Sequence, residues 1–172
     1  APDVSQGRQP DGGSVIGSFP TASPGTTNPV VNPSFACIVS ASTQMLLITN
    51  SNWRYNQSGQ DLGTLWRAVA YDDSSWPEGP ALLAVESSAL PSPGKNTELS
   101  IGRTTYYFRT RFWLDEATAP VVIRLRHVVD DGAIFYLNGQ ELLRYNMPAG
   151  VVAHTGYAAS DIGNAGCVTS SL

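Results

Sequence analysis

From Phe35 onward the chain consists of short apolar runs broken by turn residues, and no stretch sustains the 3.6-residue period of an amphipathic helix. Runs of strand length fall at Cys37–Ser40, Gln44–Thr49, Trp66–Ala70, Ala81–Glu86, Thr104–Leu114, Val121–Val129, Ala133–Leu137 and Gln140–Arg144. Between them lie "NQSG", "DDSSWPEGP", "PSPGKN", "DEATAP", "DDG" and "NG", rich in residues that tolerate turn geometry. "SGQDLGTLW" has room for one helical turn. Many short strands with such spacers predict an all-β fold, an antiparallel β-sandwich.

Alternation assigns faces. In "TTYYFRTRFWL" it sends Tyr106, Phe108, Phe112 and Leu114 inward and Tyr107, Arg109, Arg111 and Trp113 outward. In the next strand Val121, Ile123, Leu125 and Val129 face inward, with Val122, Arg124, Arg126 and Val128 outward; His127 falls in the inward set as a core histidine. Pairing of these strands through "DEATAP" would put Arg109, Arg111, Arg124 and Arg126 on one outer face. Asn138-Gly139 predicts a two-residue type I′ hairpin, because both central positions need positive φ. Register then sets Leu137 against Gln140, Tyr136 against Glu141, Phe135 against Leu142 and Ile134 against Leu143. Both faces of that ribbon are apolar, which predicts a central position in its sheet.

Residues 1 to about 34 are dense in Gly, Pro, Ser and Asn without periodicity and read as loop or linker, leaving 35–172 as the sandwich. The net charge of −4, with a single lysine, Lys95, offers no basic stripe for nucleic acid. Charged residues are only 14% of the chain, so its surface is rich in hydroxyls, as in secreted bacterial β-proteins. No apolar run approaches the roughly 18 residues of a membrane helix, so no membrane contact is expected. With neither initiator Met nor signal peptide, the chain is expected to be a processed or excised piece. The two cysteines, Cys37 and Cys167, fit a disulfide of an oxidising compartment, with free buried thiols as the alternative.

"WRAVAYDDSSWPEGPALLAVE", "TTYYFRTRFWL" and "DDGAIFYLNGQELLRYNMPAG" together resemble the galactose-binding-like jelly-roll module of large secreted bacterial proteins. The layout is similar to the sugar-binding domain of family 2 glycoside hydrolases, over roughly residues 48–150. "DVSQGRQPDGG" followed by "PTASPGTTNP" resembles the C-terminal end of a bacterial lamin-tail-like domain. The jelly-roll resemblance implies two further strands beyond 158–164, so the sandwich is expected to lack its last strands or to take them from a partner by strand addition.

Candidate chemistry centres on loops. Trp53 and Tyr55, flanked by Arg54 and Asn56 in "SNWRYNQSGQD", offer aromatic faces for a pyranose beside groups that bond hydroxyls. Trp113 with Arg109 and Arg111 offers a second surface, fitted to an acidic polysaccharide, unless Asp115, Glu116, Asp73 or Glu98 neutralises it. Asp72, Asp73, Asp130 and Asp131 sit in two acidic turns; Asx-type turns are the simpler role, and calcium ligation is the alternative. Adjacent residues on a strand point to opposite faces, so Asp130 and Asp131 do not easily share a catalytic site, and no nucleophile elbow, phosphate loop or HExxH is present. No other cofactor is expected. These readings favour a non-catalytic extracellular carbohydrate-binding module with a polysaccharide or glycan partner. The alternative is a structural or adhesive module working through protein–protein contacts with neighbouring modules.

Overall fold

A computed structural model describes residues 5–9, 15–19, 43–114 and 121–172. The chain divides into two compact units, Ala1–Thr43 and Gln44–Leu172. The first holds β1 (Ser5–Gln9) and β2 (Val15–Phe19), paired antiparallel from Ser5 opposite Phe19 to Gln9 opposite Val15. This ladder lies where the sequence reads as loop. A two-stranded ladder is made by the backbone and needs no apolar alternation to form.

The second unit contains β3 (Asn52–Asn56), a 3-10 turn at Leu65–Arg67, β4 (Glu78–Pro80), β5 (Leu83–Ala84), β6 (Thr97–Glu98), β7 (Tyr107–Arg109), β8 (Arg124–Val128), β9 (Ala133–Leu137), β10 (Gln140–Tyr145) and β11 (Cys167–Ser171). The fold is all-β. β3 is central in a three-stranded antiparallel sheet, β4-β3-β7, while β9–β10 and β8–β11 form antiparallel pairs and β5–β6 a short parallel one. No described helix is long and apolar enough to cross a membrane.

Several expectations change. Gln44–Thr49 is not a strand: Ser51 N donates to Ile48 O, closing a turn, and pairing begins at Asn52. Trp66–Ala70 is replaced by the 3-10 turn, in which Arg67 N and Ala68 N donate to Thr64 O and Leu65 O. The long runs at 81–86, 104–114 and 121–129 shorten to the bounds given above. Cys37–Ser40 lies outside the described residues.

β7 and β8 do not pair with each other. Arg54, Tyr55 and Asn56 of β3 lie opposite Arg109, Phe108 and Tyr107 of β7, and β8 takes β11, with His127 opposite Val168. The four arginines therefore do not share one face. β11 was not anticipated, because "CVTSS" carries one apolar side chain and its ladder is backbone work. At the hairpin, Asn138 and Gly139 take φ of 50° and 86°, as the turn demands. Gln140 and Glu141 meet Leu137 and Tyr136, but Leu142 bulges, so Leu143 meets Phe135 and Arg144 meets Ile134. The extra residue turns Arg144 back toward Glu141, which it grips through Nε and Nη2 at 2.9 and 2.8 Å. Among the described residues this ribbon is two-stranded, not central.

The innermost apolar side chains are Trp76, Leu99, Tyr107 and Ala165. Tyr107, placed outward by alternation, is buried because Trp66 of the 3-10 turn packs on it edge-to-face at 5.0 Å. Trp66 also meets Tyr136 at 5.7 Å, tying the β9–β10 hairpin to the three-stranded sheet. Phe108 and Phe112 are half-buried, and Leu114 is exposed.

His127 is buried between Phe135 and Tyr145, with ring centroids 5.2 and 4.8 Å away. Neither ring nitrogen has a partner among the described residues, and burial lowers its pKa from the ordinary 6.5. In the unfolded chain this imidazole binds a proton more readily than in the folded one, so stability rises with pH through this window. The contribution is complete above about pH 6.5 and is lost as pH falls below it. The unfolding free energy is expected to decline below pH 6.5 by at most about 1.4 kcal/mol per pH unit. His127→Phe removes that slope; denaturant titrations of both proteins at pH 5 and 7 measure it, and equal slopes would reject the assignment.

Candidate functional site

The segment "NWRYN" forms β3 because both of its edges find partners: Trp53 lies opposite Gly79 of β4, and Tyr55 opposite Phe108 of β7. Tyr55 N donates to Pro77 O at 2.9 Å, which draws the end of the "DDSSWP" turn alongside the strand. Between strand end and turn lies a cleft of about 290 Å³. Tyr55, Asn56, Gln57 and Ser58 form one wall, and Ser75, Trp76 and Pro77 the other. Trp76 is buried and Tyr55 half-buried, so the cleft has an aromatic lining with polar groups at its rim.

Part of that polar equipment is already engaged. Asn56 Oδ1 accepts from Ser58 N and Ser58 Oγ at 3.0 and 2.8 Å, an Asx turn that fixes the loop after β3. Gln57 Oε1 accepts from Ser100 N at 2.7 Å. The amide nitrogens of Asn56 and Gln57 and the Ser75 hydroxyl find no partner among the described residues, leaving them for a ligand.

The opposite wall is held by Asp73. Its Oδ2 accepts from Arg109 Nε at 2.7 Å and its Oδ1 from Arg111 Nη1 at 3.1 Å, with Arg54 Nε 3.9 Å from Oδ1. Arg54 Nη1 also donates to the carbonyls of Asp73 and Ser74, both at 3.0 Å. Arg109 donates further to the carbonyls of Trp66 and Ala68. Burial alone would raise the Asp73 carboxyl, but the hydrogen bonds from Arg109 and Arg111 outweigh it and hold the group below its ordinary value. Asp72 accepts from Ser74 N at 2.9 Å, and Ser74 lowers its carboxyl as well. The turn carrying Asp72 and Asp73, together with three arginines from β3, β7 and the segment after β7, is thus a clamp that sets where Ser75, Trp76 and Pro77 stand.

The sequence-derived candidates separate accordingly. Tyr55 and Asn56 line the cleft; Trp53 is half-buried and does not. Arg109 and Arg111 are bonded to Asp73, and Arg54 Nε lies 3.9 Å from Asp73 and 3.6 Å from Glu78, so all three have carboxylate partners within the fold. Arg124 and Arg126 remain exposed on β8, with Arg126 Nε donating to Cys167 Sγ at 2.8 Å. Trp113 is 89% exposed and stands apart from the cleft. Asp131 Oδ1 accepts from Ile162 N, and its carbonyl from Asn146 Nδ2, both at 3.1 Å, so this acid braces two loops. Partial burial and the Asp131 charge push Asp130 above its ordinary value. Among the described residues no three His, Cys, Asp or Glu side chains converge as metal ligands, and Asp73 has both oxygens on guanidinium groups. Cys167 is exposed and has no disulfide partner among the described residues, and Cys37 lies outside them.

Sequence reading missed Ser58, Ser75, Trp76 and Pro77 as cleft residues. Their signal is the facing of two turn motifs, visible only once Tyr55 is bonded to Pro77. No protein-family model, curated protein or solved structure matches the chain.

Proposed function

We propose that this chain is a non-catalytic, secreted carbohydrate-binding module built on a galactose-binding-like jelly roll, with its ligand seated at Tyr55. The observation that carries this reading is the open depression beside Tyr55: two aromatic side chains in its lining, amide and hydroxyl donors without partners among the described residues, and a volume of about 290 Å³. That size is at the small end of ligand sites and suits one sugar ring of a longer chain. Pyranose C–H faces pack on aromatic rings while their hydroxyls bond amides, the pairing that Tyr55, Asn56 and Gln57 supply.

The expected result is binding on a glycan array, weakened about tenfold or more by Tyr55→Ala and unchanged by Trp113→Ala. Retention of full affinity by Tyr55→Ala would move the site elsewhere, and silence across the array would end the sugar reading.

The second reading, an adhesive or spacer module, is favoured by Trp113 at 89% and Ile101 at 84% exposure, large apolar groups that protein contacts would cover. Light scattering separates the two, since a monomer at all concentrations argues against assembly.

A further inference from the structure

The Tyr55 cleft has a neighbour of opposite character. A recess of about 220 Å³ is lined by Ser58, Gly59, Arg103, Thr104, Thr105 and His154 among others, with almost no aromatic surface. Ser58 belongs to both, and Arg103 Nε donates to the carbonyl of Gln57 at 2.9 Å, so the loop after β3 is the shared wall.

Arg103 differs from the clamp arginines. Arg54, Arg109, Arg111 and Arg144 each face a carboxylate, whereas Arg103 faces none among the described residues. With Nε held by Gln57 O, its remaining donors are the two terminal nitrogens, a fork that fits the two oxygens of one carboxylate. Gly59 makes room for this: it sits at φ +76°, and a Cβ there would stand 3.1 Å from Arg103 Cδ. Asp61, which meets the recess residue His154, is already engaged, by Gly63 N at 2.8 Å and by His154 Nδ1 at 3.3 Å. Thr105 Oγ1 donates to His154 O at 2.5 Å and pins the histidine's loop to the recess. The Thr104 hydroxyl and His154 Nε2 have no hydrogen-bond partner among the described residues, and both residues line the recess.

We propose that the Arg103 recess takes the carboxylate of a uronic-acid residue adjoining the sugar at Tyr55, so that the ligand class is an acidic polysaccharide. The inference rests on the reading of the Tyr55 cleft as a sugar site. The free-acid and methyl-esterified forms of polygalacturonate and alginate oligosaccharides, with a neutral and a sulfated glycan panel beside them, test it by calorimetry. The free acids are expected to bind at least about tenfold tighter than their esters, as charge-assisted hydrogen bonds imply. Added salt reduces the difference. Arg103→Gln lowers affinity for the acids more than for the esters and so closes the gap between them, and Arg103→Lys restores part of it. If neutral glycans or esters bind as well as the acids, or Arg103→Gln changes nothing, the uronate inference fails while the sugar site stands. A sulfated panel bound in preference to uronates would also overturn it. No binding to any glycan overturns the sugar site, and the inference with it. The acid-to-ester contrast on the unaltered chain decides the matter even if the variants fold poorly.

Discussion

Asp73→Asn is expected to be the most damaging single change at the site, lowering the unfolding free energy by about 3–5 kcal/mol. The substitution keeps size and shape but leaves the guanidinium of Arg109, whose side chain is only 11% exposed, without its counter-charge. Arg54 and Arg111, at 32% and 54%, recover hydration and contribute less. A denaturant midpoint at pH 7 measures the loss, and a change below about 1 kcal/mol would remove the clamp from the account. Adding Arg109→Met to Asp73→Asn should recover part of the stability, because the orphaned charge is then gone. Acid should imitate the mutation. The folded Asp73 carboxyl sits below the ordinary 3.8, so the unfolded chain takes the proton first. The clamp is complete above about pH 3.8 and is lost as pH falls through the folded value. Because the clamp positions Ser75 and Trp76, glycan affinity should fall along with stability.

Tyr107→Ala is expected to cost a similar amount, about 3–5 kcal/mol, by opening a cavity beneath Trp66. Two other aromatic side chains lean on this position through Trp66, at 5.0 Å to Tyr107 and 5.7 Å to Tyr136, so the hairpin should loosen as well. Tyr107→Phe should cost far less, since the hydroxyl only accepts a long bond from Leu62 N at 3.5 Å. Thermal melts of the two variants distinguish the roles of ring and hydroxyl. Equal losses would mean that the hydroxyl, rather than the packed ring, holds this part of the core.

These effects also mark where sequence reading succeeds and where it stops. Asn138-Gly139 was legible because a two-residue turn is decided by its own φ angles. The all-β class was legible because apolar runs of strand length recur without helical period. Tyr55 and Asn56 stood out as an aromatic group among polar neighbours, and both line the cleft. The Asp73 clamp was only half legible: Asp73 was among the acids that could neutralise the arginines, but Arg54 was read as a ligand group. Only the β3–β7 register brings Arg54 opposite Arg109, and register over so long a separation has no local signal. Tyr107 was misassigned because alternation sorts side chains between two faces without saying which face a later turn will cover. The polar strands β3 and β11 were missed for a related reason: their cohesion lies in backbone ladders, which composition does not reveal. The bulge at Leu142 was likewise hidden, because the apolar run through Leu142 and Leu143 carries no mark of an extra residue.

The pairing pattern has a consequence for the order of assembly. The hairpin of β9 and β10 closes over two residues and can form within about 1–10 μs. Tyr55 must find Phe108, and His127 must find Val168, across long intervening loops whose closure entropy precedes any reward. The local ribbon is therefore the natural nucleus, and β3, even once it has met β4, keeps one open edge until β7 arrives. Refolding should run on the slow millisecond-to-second scale of non-local β-proteins, with "NWRYN" the stretch most open to mispairing in the interval.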